Sequence, residues 1–206
     1  MKLASIMLVL ALAPWASAAT VWDNGAPDLA DASLSDVDAS VVTFDDFTLS
    51  GSATIRSIQW WGIYIFTASP GPDSFNINIF ADNGGAPGTS VTGTLAVSAS
   101  RLSTTDLVFG SFPLFEYTAN IPDTVLSAGT YWLSIQNDTT GSLYDWSWAS
   151  SANTPANALF LDGSFTAQGF DLAFNLNDTA VVPEPSTMLL SAVGLGGILL
   201  ARRRRA

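Results

Sequence analysis

Neither cysteine nor histidine occurs anywhere in the 206 residues, and between the two ends of the chain cations are almost absent. Without thiols there is no disulfide to staple a core and no thiol redox chemistry. Without imidazole there is no Ser-His-Asp or Cys-His catalysis, no His or Cys zinc site and no haem attachment through cysteine. Carboxylates are what remains for chemistry, and glutamate occurs only at Glu116 and Glu184. Paired-carboxylate glycoside hydrolysis needs two acids at a set separation with divergent pKa values, and no spacing here announces such a pair. The alternation in Phe115-Glu116-Tyr117 puts Glu116 on a solvated strand face. The chain is therefore expected not to be an enzyme and to use no cofactor or metal.

Lys2 and Arg202, Arg203, Arg204 and Arg205 take five of the seven cations, leaving Arg56 and Arg101 for everything between. Against those two stand 17 carboxylates, a net charge of −15 for residues 20–182. A surface of that sign repels phosphate backbones, so nucleic acid is excluded as a partner.

What the sequence does contain is apolar alternation with a period of two. Phe75 to Ile79, Tyr131 to Gln136 and Phe170 to Leu176 each read as a strand buried on one face. Val41 to Leu49, Thr54 to Thr67, Val91 to Ser98, Leu114 to Ile121, Leu143 to Trp148 and Ala158 to Leu161 are further candidates, rich in β-branched and aromatic residues. Asn83-Gly84 supplies the positive φ angles of a tight turn within Ala81 to Gly88, and Pro113, Pro122 and Pro155 are expected at strand ends. Asp28 to Ser40 reads as a solvated loop. The expected fold is all-β: an antiparallel two-sheet sandwich of jelly-roll type over residues 20–182, with a closed barrel as the alternative.

Aromatic residues offer the one candidate binding surface. Tyr144, Trp146 and Trp148 alternate, so a strand would carry all three rings on one face. Facing solvent, they would form a platform for the apolar faces of sugar rings; facing inward, they are core. Trp60 and Trp61 point to opposite faces of their strand, which leaves one of them available for the same role. Asp45-Asp46, Asp23-Asn24 and Asp82-Asn83 carry hard oxygen ligands, but none follows a known calcium-loop pattern, and turn formation accounts for the last two.

The two ends read as addresses. Lys2, the apolar run Leu3 to Ala13 and the small-residue site Ala16-Ser17-Ala18 have the order of a secretory signal peptide over residues 1–18, to be removed by signal peptidase. At the other end come Val182, Pro183, Glu184 and Pro185, an extended, helix-incompatible tetrapeptide. Then follow 14 uncharged residues, Met188 to Ala201, which as a short transmembrane-like helix would cover roughly 21 Å. Arg202 to Arg205 close the segment and would hold that end in the cytoplasm. This three-part order over residues 183–206, with Val182 before it, resembles the PEP-CTERM sorting signal, also labelled an ice-binding protein C-terminal domain. The resemblance implies handling by an exosortase, a membrane-embedded cysteine protease acting near the Pro-Glu-Pro motif, in a host that makes exopolysaccharide. It also implies transient residence in the inner membrane, then release or transfer to the cell surface.

The body resembles, more loosely, the β-sandwich ectodomains that precede such tails. The residues carrying that likeness are Trp22 to Gly25, Asp45 to Phe47, Trp60 to Gly62, Ile79 to Gly88 and Leu126 to Leu133. The leading expectation is a non-enzymatic surface or extracellular-matrix protein associated with exopolysaccharide or the envelope. A lectin-like carbohydrate-binding module is the alternative. A polysaccharide-active enzyme or an ice-binding protein carries less support, the latter for want of a regular threonine array.

Overall fold

A computed structural model describes residues 19–67, 70–153 and 157–180. The signal peptide, the sorting motif, the apolar helix and the terminal arginines expected from the sequence lie outside the described residues. Among those described, none is helical, and 15 strands account for the regular structure. They are β1 (Thr20–Asp23), β2 (Pro27–Leu34), β3 (Val42–Leu49), β4 (Ala53–Tyr64), β5 (Phe75–Asp82), β6 (Pro87–Ser90), β7 (Leu95–Val97) and β8 (Ser100–Val108). The rest are β9 (Phe112–Leu126), β10 (Gly129–Asn137), β11 (Trp146–Ser151), β12 (Leu159–Asp162), β13 (Ser164–Ala167), β14 (Asp171–Leu172) and β15 (Phe174–Asn177).

All strand pairings are antiparallel, and they form two sheets. The first runs β1-β15-β4-β11-β14, with β2 added on β11, β9 on β4 and β8 on β9. The second runs β13-β12-β3-β10-β5-β6, with β7 also on β5. The long strands β3, β4, β5, β9, β10 and β11 alternate between the sheets, so each connection between them crosses the core. Phe47, Ile77, Ile79, Leu133 and Ile135 of the second sheet meet Ile58, Trp60, Tyr117, Trp148 and Phe174 of the first in one buried cluster. Phe75 ties the sheets together, with its ring edge-on to Trp60 at 5.0 Å, Tyr117 at 4.9 Å and Trp146 at 5.1 Å.

β4 organises the first sheet. One edge carries β9, while the other is shared in succession by β15, opposite Ser57–Trp60, and β11, opposite Gly62–Tyr64. The fork falls where Ala173 interrupts β14 and β15. Its carbonyl accepts from Trp61 N at 3.4 Å and from Trp148 Nε1 at 3.0 Å, and its N–H donates to Ala149 O at 2.9 Å. Beyond the fork the sheet curls into a half-barrel around a second cluster of Ile63, Val108, Leu114 and Ala149. The tip of the β8–β9 hairpin reaches β2 there through Phe109 N to Leu29 O at 3.1 Å.

Several local expectations change: the strand expected at Val91 to Ser98 forms only over Leu95–Val97, and the one expected at Phe170 to Leu176 is split at Ala173 into β14 and β15. Asp28 to Ser40 is not all loop: β2 pairs with β11, and Asp28 and Asp31 earn their place on the strand by bonding Ser150 Oγ through a carboxylate and a carbonyl. Pro113 is the second residue of β9, at the strand end expected for it, whereas Pro122 lies inside β9 and Pro155 is outside the described residues. Pro122 is tolerated because the β4–β9 register slips between Ile55 and Ser57, and a bulge needs no ladder N–H there. The strand expected at Leu143 to Trp148 starts only at Trp146 and runs on to Ser151.

Candidate functional site

The expected aromatic platform is not a surface. Trp60, Trp146 and Trp148 have no exposed area, and Tyr144 precedes the strand and packs partly buried against the same core. Trp146 and Trp148 do share a face, as their spacing requires, but it is the face that meets the second sheet. Buried rings offer no stacking area to a sugar, so these side chains stabilise the sandwich instead. Trp61 projects to the other face of β4, half-buried against the half-barrel cluster. Glu116 also faces outward, accepting from Gln59 Nε2 at 2.8 Å.

The oxygen-bearing pairs weighed in the sequence are engaged within the fold. Asp23 accepts from Gly25 N, and Asp82 accepts from Gly84 N, Gly85 N and Trp132 Nε1. Asp45 is buried and receives Asn24 Nδ2 at 2.7 Å, Leu172 N at 2.6 Å and Asp46 N at 2.9 Å. Burial, reinforced by Asp171, pushes its carboxyl well above the usual range. Among the described residues no group of three or more acidic side chains is placed to hold a metal ion.

A cleft does open at one end of the sheets, where β4 and β10 finish and β5 and β11 begin. It has a volume of about 380 Å³ and lies between residues 71–74 and 138–142, with Tyr64 at its base. Its floor is assembled from buried polar contacts. Tyr64 donates its hydroxyl to Asp73 Oδ1 and receives Asn137 Nδ2 at 2.6 Å, while Asn137 Oδ1 accepts from Ser74 N at 2.9 Å. Burial, and then the Asp73 carboxylate, raises the Tyr64 phenol far above its ordinary range, so it remains a donor. Arg101 closes the back. It pairs with Asp73 Oδ2 at 3.0 Å, donates to the carbonyls of Pro70 and Gly71, and lies 5.5 Å from the centre of the Phe115 ring.

The other wall is equally fixed. Asp36, fully buried, accepts Thr139 Oγ1 on both carboxylate oxygens and Trp146 N at 2.8 Å, so one carboxylate pins both ends of the 138–145 loop. Asp138 bonds Ser74 O across the cleft through its backbone N–H at 2.8 Å. The Thr140 hydroxyl and N–H hold the Asp138 carboxyl below its usual range, keeping it an ionised acceptor.

Bulky apolar residues flank this end. Phe66, 80% exposed, follows β4, and Leu143, 90% exposed, belongs to the 138–145 loop. Phe109, half exposed, tips the β8–β9 hairpin. Phe66 and Phe109 both adopt left-handed φ angles, 71° and 52°, a costly conformation for such side chains, and both rings pack edge-on to Phe112. None of these residues formed a motif. The cleft joins segments more than 60 residues apart, and only the hydroxyl-rich run Asp138 to Ser142 hinted at it.

The opposite end holds the chain exits. Asp178 N bonds Ala19 O at 3.1 Å, and the carbonyls of Asp178 and Thr179 accept from Arg56 and Ser57. Ser57 and Tyr64 are seven residues apart on β4, so the exits lie roughly 23 Å from the base of the cleft.

Comparison with curated proteins and with solved structures gives no match for the chain. Residues 181–205, which follow the exit at Ala180, match the family model of the PEP-CTERM protein-sorting motif. The match covers that C-terminal segment, and the motif it carries implies export, anchoring at the membrane before processing, and sorting by an exosortase to the cell surface.

Proposed function

We propose that the protein is a non-enzymatic component of the cell surface or extracellular matrix that associates with exopolysaccharide. In this reading residues 1–18 are a signal peptide and residues 20–182 an ectodomain, which we class with the jelly rolls on the alternation of its long strands between sheets. Residues 183–206 are then the processed anchor, with Val182, Pro183, Glu184 and Pro185 as recognition motif and Arg202 to Arg205 as cytoplasmic stop. The observation that carries the reading is the match of residues 181–205 to the sorting motif.

Intact-mass measurement of the protein from a host with an exosortase tests this. The mature species is expected to end near Pro183–Pro185 and to lack Arg202 to Arg205. Deleting the protease, or replacing Pro183, Glu184 and Pro185 by alanine, should leave full-length protein in the inner membrane. Mature protein that keeps the arginines in both hosts would contradict the reading.

A further inference from the structure

We propose that the cleft between residues 71–74 and 138–142 binds a neutral, polyhydroxylated ligand, a sugar unit of a polysaccharide chain. The proposal rests on the surface-protein reading for the source of the ligand and on the cleft for its chemistry.

The groups presented to solvent are the Asp138 carboxylate and the Ser74 hydroxyl, with the exposed hydroxyls of Thr140, held against Asp138, and Ser142, held against the Tyr144 backbone, each keeping hydrogen-bonding capacity beside the apolar ring of Pro72. A carboxylate accepts from two adjacent hydroxyls, and a serine or threonine hydroxyl both donates and accepts, which is the complement of a sugar's vicinal diol. About 380 Å³ lies within the range of small-ligand pockets.

Charge narrows the ligand class. No cation lines the cleft, because Arg101 is committed to Asp73 and to two carbonyls behind it. An anionic ligand would meet Asp138 and the field of a strongly acidic body without compensation. A divalent cation finds too few ligands: both Asp73 oxygens are taken, by Tyr64 and Arg101, which leaves Asp138 against the six to eight oxygens that calcium requires. A neutral polyol is what remains.

The walls are also organised before any ligand arrives. Asn137 and Asp36, both fully buried, hold Ser74, Thr139 and Trp146 in place, so binding orders little additional chain. Phe66, exposed after β4, and Leu143, exposed on the 138–145 loop, offer apolar surface at the same end of the sheets that suits the C–H faces of further sugar rings. The chain exits lie at the far end of β4, so a protein tethered through its C-terminal segment turns this cleft away from the membrane.

The test uses the exported protein purified from a host with an exosortase, run in affinity gels containing dextran, laminarin, galactomannan or the anionic polymer alginate. At least one neutral polysaccharide is expected to retard it, and alginate is not. Asp138→Asn removes the charged acceptor while keeping the side-chain shape. Gly71→Trp adds bulk to the cleft lining at a position where an added Cβ meets no atom within 4 Å and φ is not left-handed. Each should weaken binding at least about tenfold while the protein remains folded, with a cooperative melt close to that of the wild type and lowered in Asp138→Asn by no more than the loss of one exposed carboxylate. Retardation by no neutral polymer, or wild-type binding by both folded variants, overturns the proposal. Intact mass on the same preparations separates the two readings: processed protein that binds no glycan sinks the cleft alone, whereas unprocessed protein that binds through it sinks the sorting reading alone.

Discussion

Trp146 shows how far the role of a single side chain depends on which face of a sheet it occupies. Its ring is fully buried, edge-on to Phe75 and 6.2 Å from Tyr117, and it packs directly on the Gly62 backbone. Replacing it by alanine should therefore open a core cavity and cost roughly 3–5 kcal/mol, read as a large drop in thermal or denaturant midpoint. A variant that melts like the wild type would mean that the ring is not core. The neighbouring polar atoms behave differently. The Tyr117 hydroxyl is close enough to the Trp146 N–H to feel it but lies outside hydrogen-bond geometry, and neither atom has another partner among the described residues. Tyr117→Phe removes an unsatisfied buried hydroxyl while keeping its stack on Trp60, so its stability should stay within about 1 kcal/mol of wild type. The two substitutions together separate packing from hydrogen bonding at the centre of the core.

At the level of elements, the fork on β4 depends on one glycine. A Cβ on Gly62 would sit 2.4 Å from Trp146 Cζ2 and 2.6 Å from its Nε1, and that ring has no free space to retreat into. Gly62→Ala should push β11 off β4 and cost roughly 3 kcal/mol in chemical denaturation, with a smaller loss only if the whole β11 edge can shift. The sequence reveals elements whose own residues alternate. β5, β10 and a tight turn after β5 are legible because Phe75, Ile77 and Ile79 face inward and Asn83 N closes on Ala86 O at 2.9 Å, although the positive φ angles fall on Gly84 and Gly85 rather than on the expected Asn83-Gly84. It conceals elements whose stability is tertiary. β2 carries aspartates and a left-handed Leu29, and it is a strand because β11 and the β8–β9 hairpin give it partners. Alternation also places Trp146 and Trp148 on a common face without saying whether that face is wet, since burial is decided by the second sheet. The cleft is less legible still: Ser74 and Asp138 become neighbours only once β5 and β10 pair in register, Phe75 opposite Asn137.

Across the whole molecule, acidity and burial act together. Asp45, Asp46 and Asp171 are all raised above the ordinary carboxylate range, burial being the first cause in each, and Asp145 is raised by burial and by the nearby Asp36 and Asp38. A carboxyl whose pKa is higher folded than unfolded binds protons preferentially in the native state. Stability then rises as pH falls from neutrality through the raised folded values, and the gain saturates once the unfolded chain is also protonated in the ordinary carboxylate range. Lowering the pH also relieves the self-repulsion of a body with 17 carboxylates and two arginines. Asp138 has the opposite sign: its depressed carboxyl contributes stability that is lost only below the ordinary range, so it does not offset the gain above it. The urea midpoint is therefore expected to be higher at about pH 5 than at about pH 7.5, with the difference shrinking in high salt as the surface component is screened and the buried component persists. A midpoint that falls steadily on acidification would show that the buried carboxyls of the Asp45 cluster are ionised and net stabilising in the fold, contrary to their surroundings.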